Sequence, residues 1–134
     1  MLLHKLQEHN KKLFLELELI LANVDGDFSI NEEELIHKHC REMGIEPVEY
    51  NQEMALENVV KGIEANMTVQ EKKIIFIELI TVAVIDGVYD SKEEEFVEAL
   101  RKLLGIPDEV AEQAFGLVKD LIDASSKIEN FVEW

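Results

Sequence analysis

Apolar residues recur along this chain at a period of three to four. Leu13, Phe14, Leu17, Leu21 and Val24 form one such series and predict a helix from Lys11 to Val24, after a short amphipathic stretch from Leu2 to His9. The alternation Leu15-Glu16-Leu17-Glu18-Leu19 also has the period of a strand. Leu, Glu and Ala favour helix, however, and no neighbouring segment offers a pairing partner. Further helices are predicted from Asn31 to Met43, from Pro47 to about Lys61, from Thr68 to Ile85, from Ser91 to Leu104 and from Pro107 to about Ile122. A short last helix includes Ile128, Phe131 and Trp134, and Gly62 to Met67 is the natural linker. The segment from Ile74 to Ile85 is apolar on nearly every side, as a helix at the centre of a bundle is, with Glu78 alone inside it. Thr68 and Glu71 have the spacing of a capping box. No segment reads as a strand, so the class is all-α.

One stretch occurs twice. Asp25-Gly26-Asp27-Phe28-Ser29-Ile30-Asn31-Glu32 is matched by Asp86-Gly87-Val88-Tyr89-Asp90-Ser91-Lys92-Glu93, 61 positions later (86 − 25). The register extends to Ala22 and Ala83 upstream, and to Gly44-Ile45 and Gly105-Ile106 downstream. The chain thus reads as one helix–turn–helix unit used twice, in halves 11–63 and 68–124, forming a pseudo-two-fold bundle of about seven helices in a single domain, residues 1–134.

The turns carry the candidate chemistry. Ser29 with Glu32, and Asp90 with Glu93, have capping-box spacing, which needs no ligand. Yet Asp25 and Asp86 stand at the negative end of the preceding helix, where a carboxylate is unfavourable by about 0.3–1 kcal/mol unless something positive faces it. At 100° per residue, Glu32 falls on the stripe of Leu35, Ile36, His39 and Met43, and Glu93 on that of Phe96, Val97, Leu100 and Leu104. Glu33, Glu34, Glu94 and Glu95 point away. One glutamate per copy therefore faces inward, and an inward carboxylate must be hydrogen-bonded, paired or on a metal.

Charge narrows the partners. With 29 acidic and 13 basic residues the net charge is −16, which repels nucleic acid and anionic lipid and suits cations or a basic protein. Cys40 is the single cysteine, consistent with a reducing compartment. The amino-terminal residues lack a signal peptide's apolar run, and Ile74–Ile85 is too short to span a bilayer, so a cytoplasmic protein without membrane insertion is expected.

Other constellations are weaker. An EF-hand alignment from Asn23 places Asp25, Asp27, Ser29 and Glu34 at ligand positions, but Phe28 stands where the loop needs glycine; in the second copy Val84 and Val88 replace oxygen ligands. A degenerate EF-hand-like calcium binder is thus an alternative. His37 and His39 point about 200° apart on a helix and cannot share a metal, whereas His37 and Cys40 could. A half-buried histidine and a core cysteine are the plainer identities. Glu78 is read as a paired carboxylate or an exposed sliver of its helix. No nucleophile–base pair, phosphate loop or cofactor fingerprint is present, and no enzymatic activity is expected.

With its two helices ending in Asp-Gly, each followed by Glu seven residues after the Asp, and with the Leu104-Gly105-Ile106 stop, the chain resembles the tellurite-resistance TerB-like family. That resemblance implies a helical bundle of two similar halves. It further implies a non-enzymatic module of bacterial stress-response complexes, binding a divalent cation through acidic residues. Carried over by position, the metal candidates are Asp25, Glu32, Asp86 and Glu93, with Asp27 and Asp90 beside them. Asn23 and Val88 depart from the family's usual small apolar and acidic residues. Oxygen-only ligands favour calcium, magnesium or manganese over zinc. The rival expectation is a metal-free acidic adaptor that docks a basic protein partner.

Overall fold

A computed structural model describes residues 2–23, 30–45, 54–84 and 91–133, with residues 30–32 as backbone only. A 3-10 turn, Leu3–Lys5, is followed by six α-helices: α1 Glu8–Ala22, α2 Ile30–Met43, α3 Leu56–Asn66, α4 Val69–Val84, α5 Ser91–Leu103 and α6 Asp108–Val132. No described residue lies in a strand. No helix among the described residues is long and apolar enough to cross a membrane.

The all-round apolar helix takes the centre. α4 packs on α1, α5, α6 and the 3-10 turn, and α1 packs in addition on α2 and α3. Ile74, Ile75, Phe76, Leu79, Ile80, Val82 and Ala83 of α4 are buried. They join Phe14, Leu17 and Leu21 of α1, Val59 and Ile63 of α3, Val97 and Leu100 of α5, and Ala111, Ala114 and Val118 of α6 in one core. A smaller cluster, Leu19, Ala22, Ile36 and Cys40, seals α1 to α2.

Local signals set several helix ends as expected. Gly44 and Gly105 adopt φ of 72° and 69°, which only glycine enters without strain. The Ile45 N–H donates to the Cys40 carbonyl at 2.8 Å and the Gly44 N–H to Arg41 at 3.2 Å; the Ile106 and Gly105 N–H groups donate to Arg101 and Lys102 at 3.0 and 3.1 Å. Both stops are Schellman motifs. Several boundaries differ from the sequence expectation. α1 begins at Glu8 rather than Lys11, and α3 begins at Leu56 rather than at Pro47, because Ala55 just before it is extended. α3 runs through Gly62 to Asn66, because Gly62 lets α1 approach rather than ending the helix: a Cβ there would lie 3.0 Å from a Leu13 methyl. α6 likewise continues past Ile122 to Val132 as one helix of 25 residues, since Ala124-Ser125-Ser126 contains no residue that stops it.

The capping box at α4 is present and does more than cap. The Glu71 N–H donates to Thr68 Oγ1 at 3.1 Å, and the Thr68 N–H donates to Glu71 Oε1 at 3.2 Å. The other carboxylate oxygen accepts from the Gln7 N–H at 3.1 Å and from Asn10 Nδ2 at 2.9 Å, tying the start of α1 to the start of α4. Burial pushes the Glu71 carboxyl up, but these donors, Asn10 first, hold it below its ordinary range. Hydrogen bonds to a charged group contribute about 1.5–3 kcal/mol each before coupling. Glu71→Ala is expected to lower the unfolding free energy by about 2–3 kcal/mol in urea titrations, whereas Thr68→Ala, which removes only the cap, costs about 1 kcal/mol.

Candidate functional site

Three buried ionisable side chains from three helices meet beneath the groove between α2, α4 and α6. Glu18 of α1, His39 of α2 and Glu78 of α4 are 0%, 2% and 4% exposed. Helical spacing puts each on a core-facing stripe. Glu18 follows Phe14 by four and precedes Leu21 by three, His39 lies between Ile36 and Met43, and Glu78 sits one turn after Ile74.

His39 Nδ1 lies 2.8 Å from Glu18 Oε2 and its Nε2 lies 3.4 Å from Glu78 Oε2. Glu78 Oε1 accepts the Leu2 N–H at 3.1 Å, so the amino-terminal segment is pinned to the same site. The Phe14 ring stands edge-on to the imidazole, with centroids 5.7 Å apart and planes at 62°. Glu18 Oε1 is buried without a hydrogen-bond partner.

The electrostatics follow from this geometry. Burial works against the His39 proton, but the bonds to Glu18 and Glu78 outweigh it and hold the pKa up to about 9. At neutral pH both ring nitrogens therefore carry a proton, one facing Glu18 and one facing Glu78. Burial also works against ionised Glu78, yet His39 and the Leu2 N–H keep it down at about 2. Glu18 lies deepest, and burial pushes it up to about 7 in spite of His39. The two carboxylates sit on opposite nitrogens of one ring and do not converge on a point. Among the described residues, no group of three or more His, Cys, Asp or Glu has the geometry to hold a metal ion.

The candidates read from sequence are distributed differently. Asp25, Asp27, Asp86 and Asp90 lie outside the described residues, as do Ser29 and the Asp-Gly turns. Glu32 lies in the first turn of α2, with its side chain outside the description. Glu93 is in the first turn of α5 and buried, 7% exposed, while Glu94 and Glu95 face solvent. Asn23, the first position of the EF-hand alignment, turns its amide onto the Leu19 carbonyl at 2.8 Å. Cys40 is buried and its thiol is pushed up to about 11, first by burial, so it is no ready thiolate ligand. His37 is half-buried, His39 lies buried on the inward stripe of α2, and Glu78 is the paired carboxylate of the two alternatives. Glu18 was missed, hidden in the Leu-Glu alternation; its i+4 relation to Phe14 was the available signal.

An all-helical bundle with buried carboxylates at its helix contacts is the class this architecture defines. The fold is similar to that of a tellurite resistance protein from Nostoc punctiforme, with a TM-score of 0.71 and 21% identity over 95% of this chain and 82% of that one. At 21% identity, what the two share is the fold. The resemblance drawn from the Asp-Gly repeat thus holds at the level of architecture. The sequence matches no protein-family model and no curated protein significantly.

Proposed function

We propose that this chain is a non-enzymatic binding module of the tellurite-resistance type. It takes a divalent cation at its two acidic helix starts, through Asp25, Glu32, Asp86 and Glu93, with Asp27 and Asp90 alongside. The observation that carries the reading is Glu93: of three consecutive glutamates it alone is withdrawn from water, at the start of α5. A buried carboxylate at that position supplies the hard oxygen donor that calcium, magnesium or manganese takes. The matched stops at Gly44 and Gly105 support two similar halves within one domain, each contributing one such corner. The name of the Nostoc protein supports a role in a bacterial stress response, with this module serving as an interaction platform in the cytoplasm. A metal-free adaptor for a basic protein is the second reading, favoured by the net charge of −16.

Thermal unfolding of chelator-stripped protein against calcium, magnesium, manganese and zinc separates the two. A ligand of the folded state at one hundred times its dissociation constant adds about 2.7 kcal/mol. In a chain of this size that raises the midpoint by roughly 8–15 °C. The expected result is such a shift with an oxygen-preferring cation and its loss in the Glu32→Gln, Glu93→Gln double variant, which retains capping. No shift with any ion at millimolar concentration would establish these carboxylates as helix caps and leave the adaptor.

A further inference from the structure

The core uses only part of α6. After Val118 none of its described residues is buried, yet Leu117, Leu121, Ala124, Ile128 and Phe131 continue along it at intervals of four, three, four and three. That is the a/d spacing of a coiled-coil seam, and it lies on the flank of α6 about 100° from its core-facing side. Leu117, Leu121, Ile128 and Phe131 are 52%, 38%, 65% and 74% exposed. Continued towards the amino-terminal end of α6, the seam reaches Ala114 and Val110. With Leu117 these line an apolar cavity of about 340 Å³ between α6, α4 and the 3-10 turn.

We infer that α6 pairs antiparallel with α6 of a second copy of this chain, each Phe131 entering the other copy's cavity beside Ala114. The register follows from the seam. Antiparallel coiled coils layer a against d, so Leu121 meets Ala124 of the second copy, Leu117 meets Ile128 and Ala114 meets Phe131. Each end layer places a large side chain against a small one, and the cavity lies where the phenyl ring arrives. Charge agrees. Asp120 and Lys127 occupy successive g positions, and in this register each Asp120 flanks the other copy's Lys127, twice by symmetry. A parallel pairing would place Asp120 against Ser125 and Lys127 against Val132, and would stack Ala124 on Ala124. Lys5 and Lys73, which also line the cavity, soften the field that a second acidic chain meets there.

Sedimentation of the full chain from roughly 1 to 100 µM, a range that brackets a modest dimer, is expected to show a monomer–dimer equilibrium. Asp120→Lys or Lys127→Asp alone weakens it about tenfold, and the double exchange restores it. Mixed Leu117→Cys and Ile128→Cys proteins should cross-link to each other, with Leu117→Cys alone forming no disulfide to itself; Cys40 is buried and gives no background. All substituted positions are exposed, so circular dichroism should remain that of the parent. A monomer throughout that range, a dimer indifferent to the charge exchanges, or self-cross-linking of Leu117→Cys would each overturn the inference.

Discussion

Replacing His39 by leucine is expected to lower the unfolding free energy by about 3–5 kcal/mol and the melting midpoint by roughly 10–20 °C. The loss comes from what remains. Glu18 and Glu78 are 0% and 4% exposed, and without the imidazolium each must stay charged unaided or take up a proton. Replacing the group together, as Glu18→Leu, His39→Leu, Glu78→Gln, should recover most of the loss, because no buried charge is then stranded and the Leu2 N–H keeps an acceptor. A His39→Leu cost below about 1 kcal/mol would mean that the site does not hold the three helices together.

The same site sets a pH profile whose signs can be worked out. His39 keeps its proton to about 9 when folded, against 6.5 ordinarily. Its contribution is complete below pH 6.5 and is lost as pH rises through 9. Glu78 is held at about 2 against 4.5, so its contribution is present above pH 4.5 and disappears as pH falls through 2. Glu18, pushed up to about 7 against 4.5, penalises the ionised form, and the fold loses stability between those values. The stability difference between parent and His39→Leu should therefore be greatest between about pH 4.5 and 6.5 and shrink on both sides. Urea titrations at pH 3, 5.5 and 9.5 would show it, and a pH-independent difference would contradict the assignment of His39 as an imidazolium.

Phe14→Ala is expected to cost a further large amount, about 3–5 kcal/mol. Phe14 is fully buried and belongs to the main core, where the vacated volume cannot collapse around a rigid α4. It also screens His39, so the cavity opens beside a charged ring and has the polar lining that admits water. Water at the ring competes with Glu18 and Glu78, and the His39 pKa, followed by imidazole NMR, should fall from its raised value. Phe14→Leu, which keeps most of the volume, should cost less than half as much and leave the pKa in place. Equal losses for the two substitutions would locate the effect in something other than packing.

How these features could be read differs with their range. The Thr68–Glu71 box and the Schellman stops at Gly44 and Gly105 each involve residues at most five apart, so the local order of residues marks them. The central place of α4 was equally visible, because a helix apolar on all sides has no stable place except inside a bundle. The inward turn of Glu93 followed from its angle on the helix, and its burial agrees. Gly62 misled, since a glycine that ends a helix and one that admits a neighbouring helix look alike until Leu13 is placed beside it. The continuation of α6 was missed because the expected break had no stop residue behind it.

The sequence by itself determined an all-α chain, most of its helix ends and the single glutamate of α5 that turns inward, all consequences of backbone sterics, capping and helical periodicity. Only the tertiary structure decided that Glu18, His39 and Glu78 share one site. His39 and Glu18 are 21 residues apart in the chain and Leu2 and Glu78 are 76 apart, and no local rule relates them. Their protonation was beyond sequence for the same reason: each pKa is set by how much water the packed helices exclude and by which charge they bring within hydrogen-bond distance, and both exist only once α1, α2 and α4 have closed.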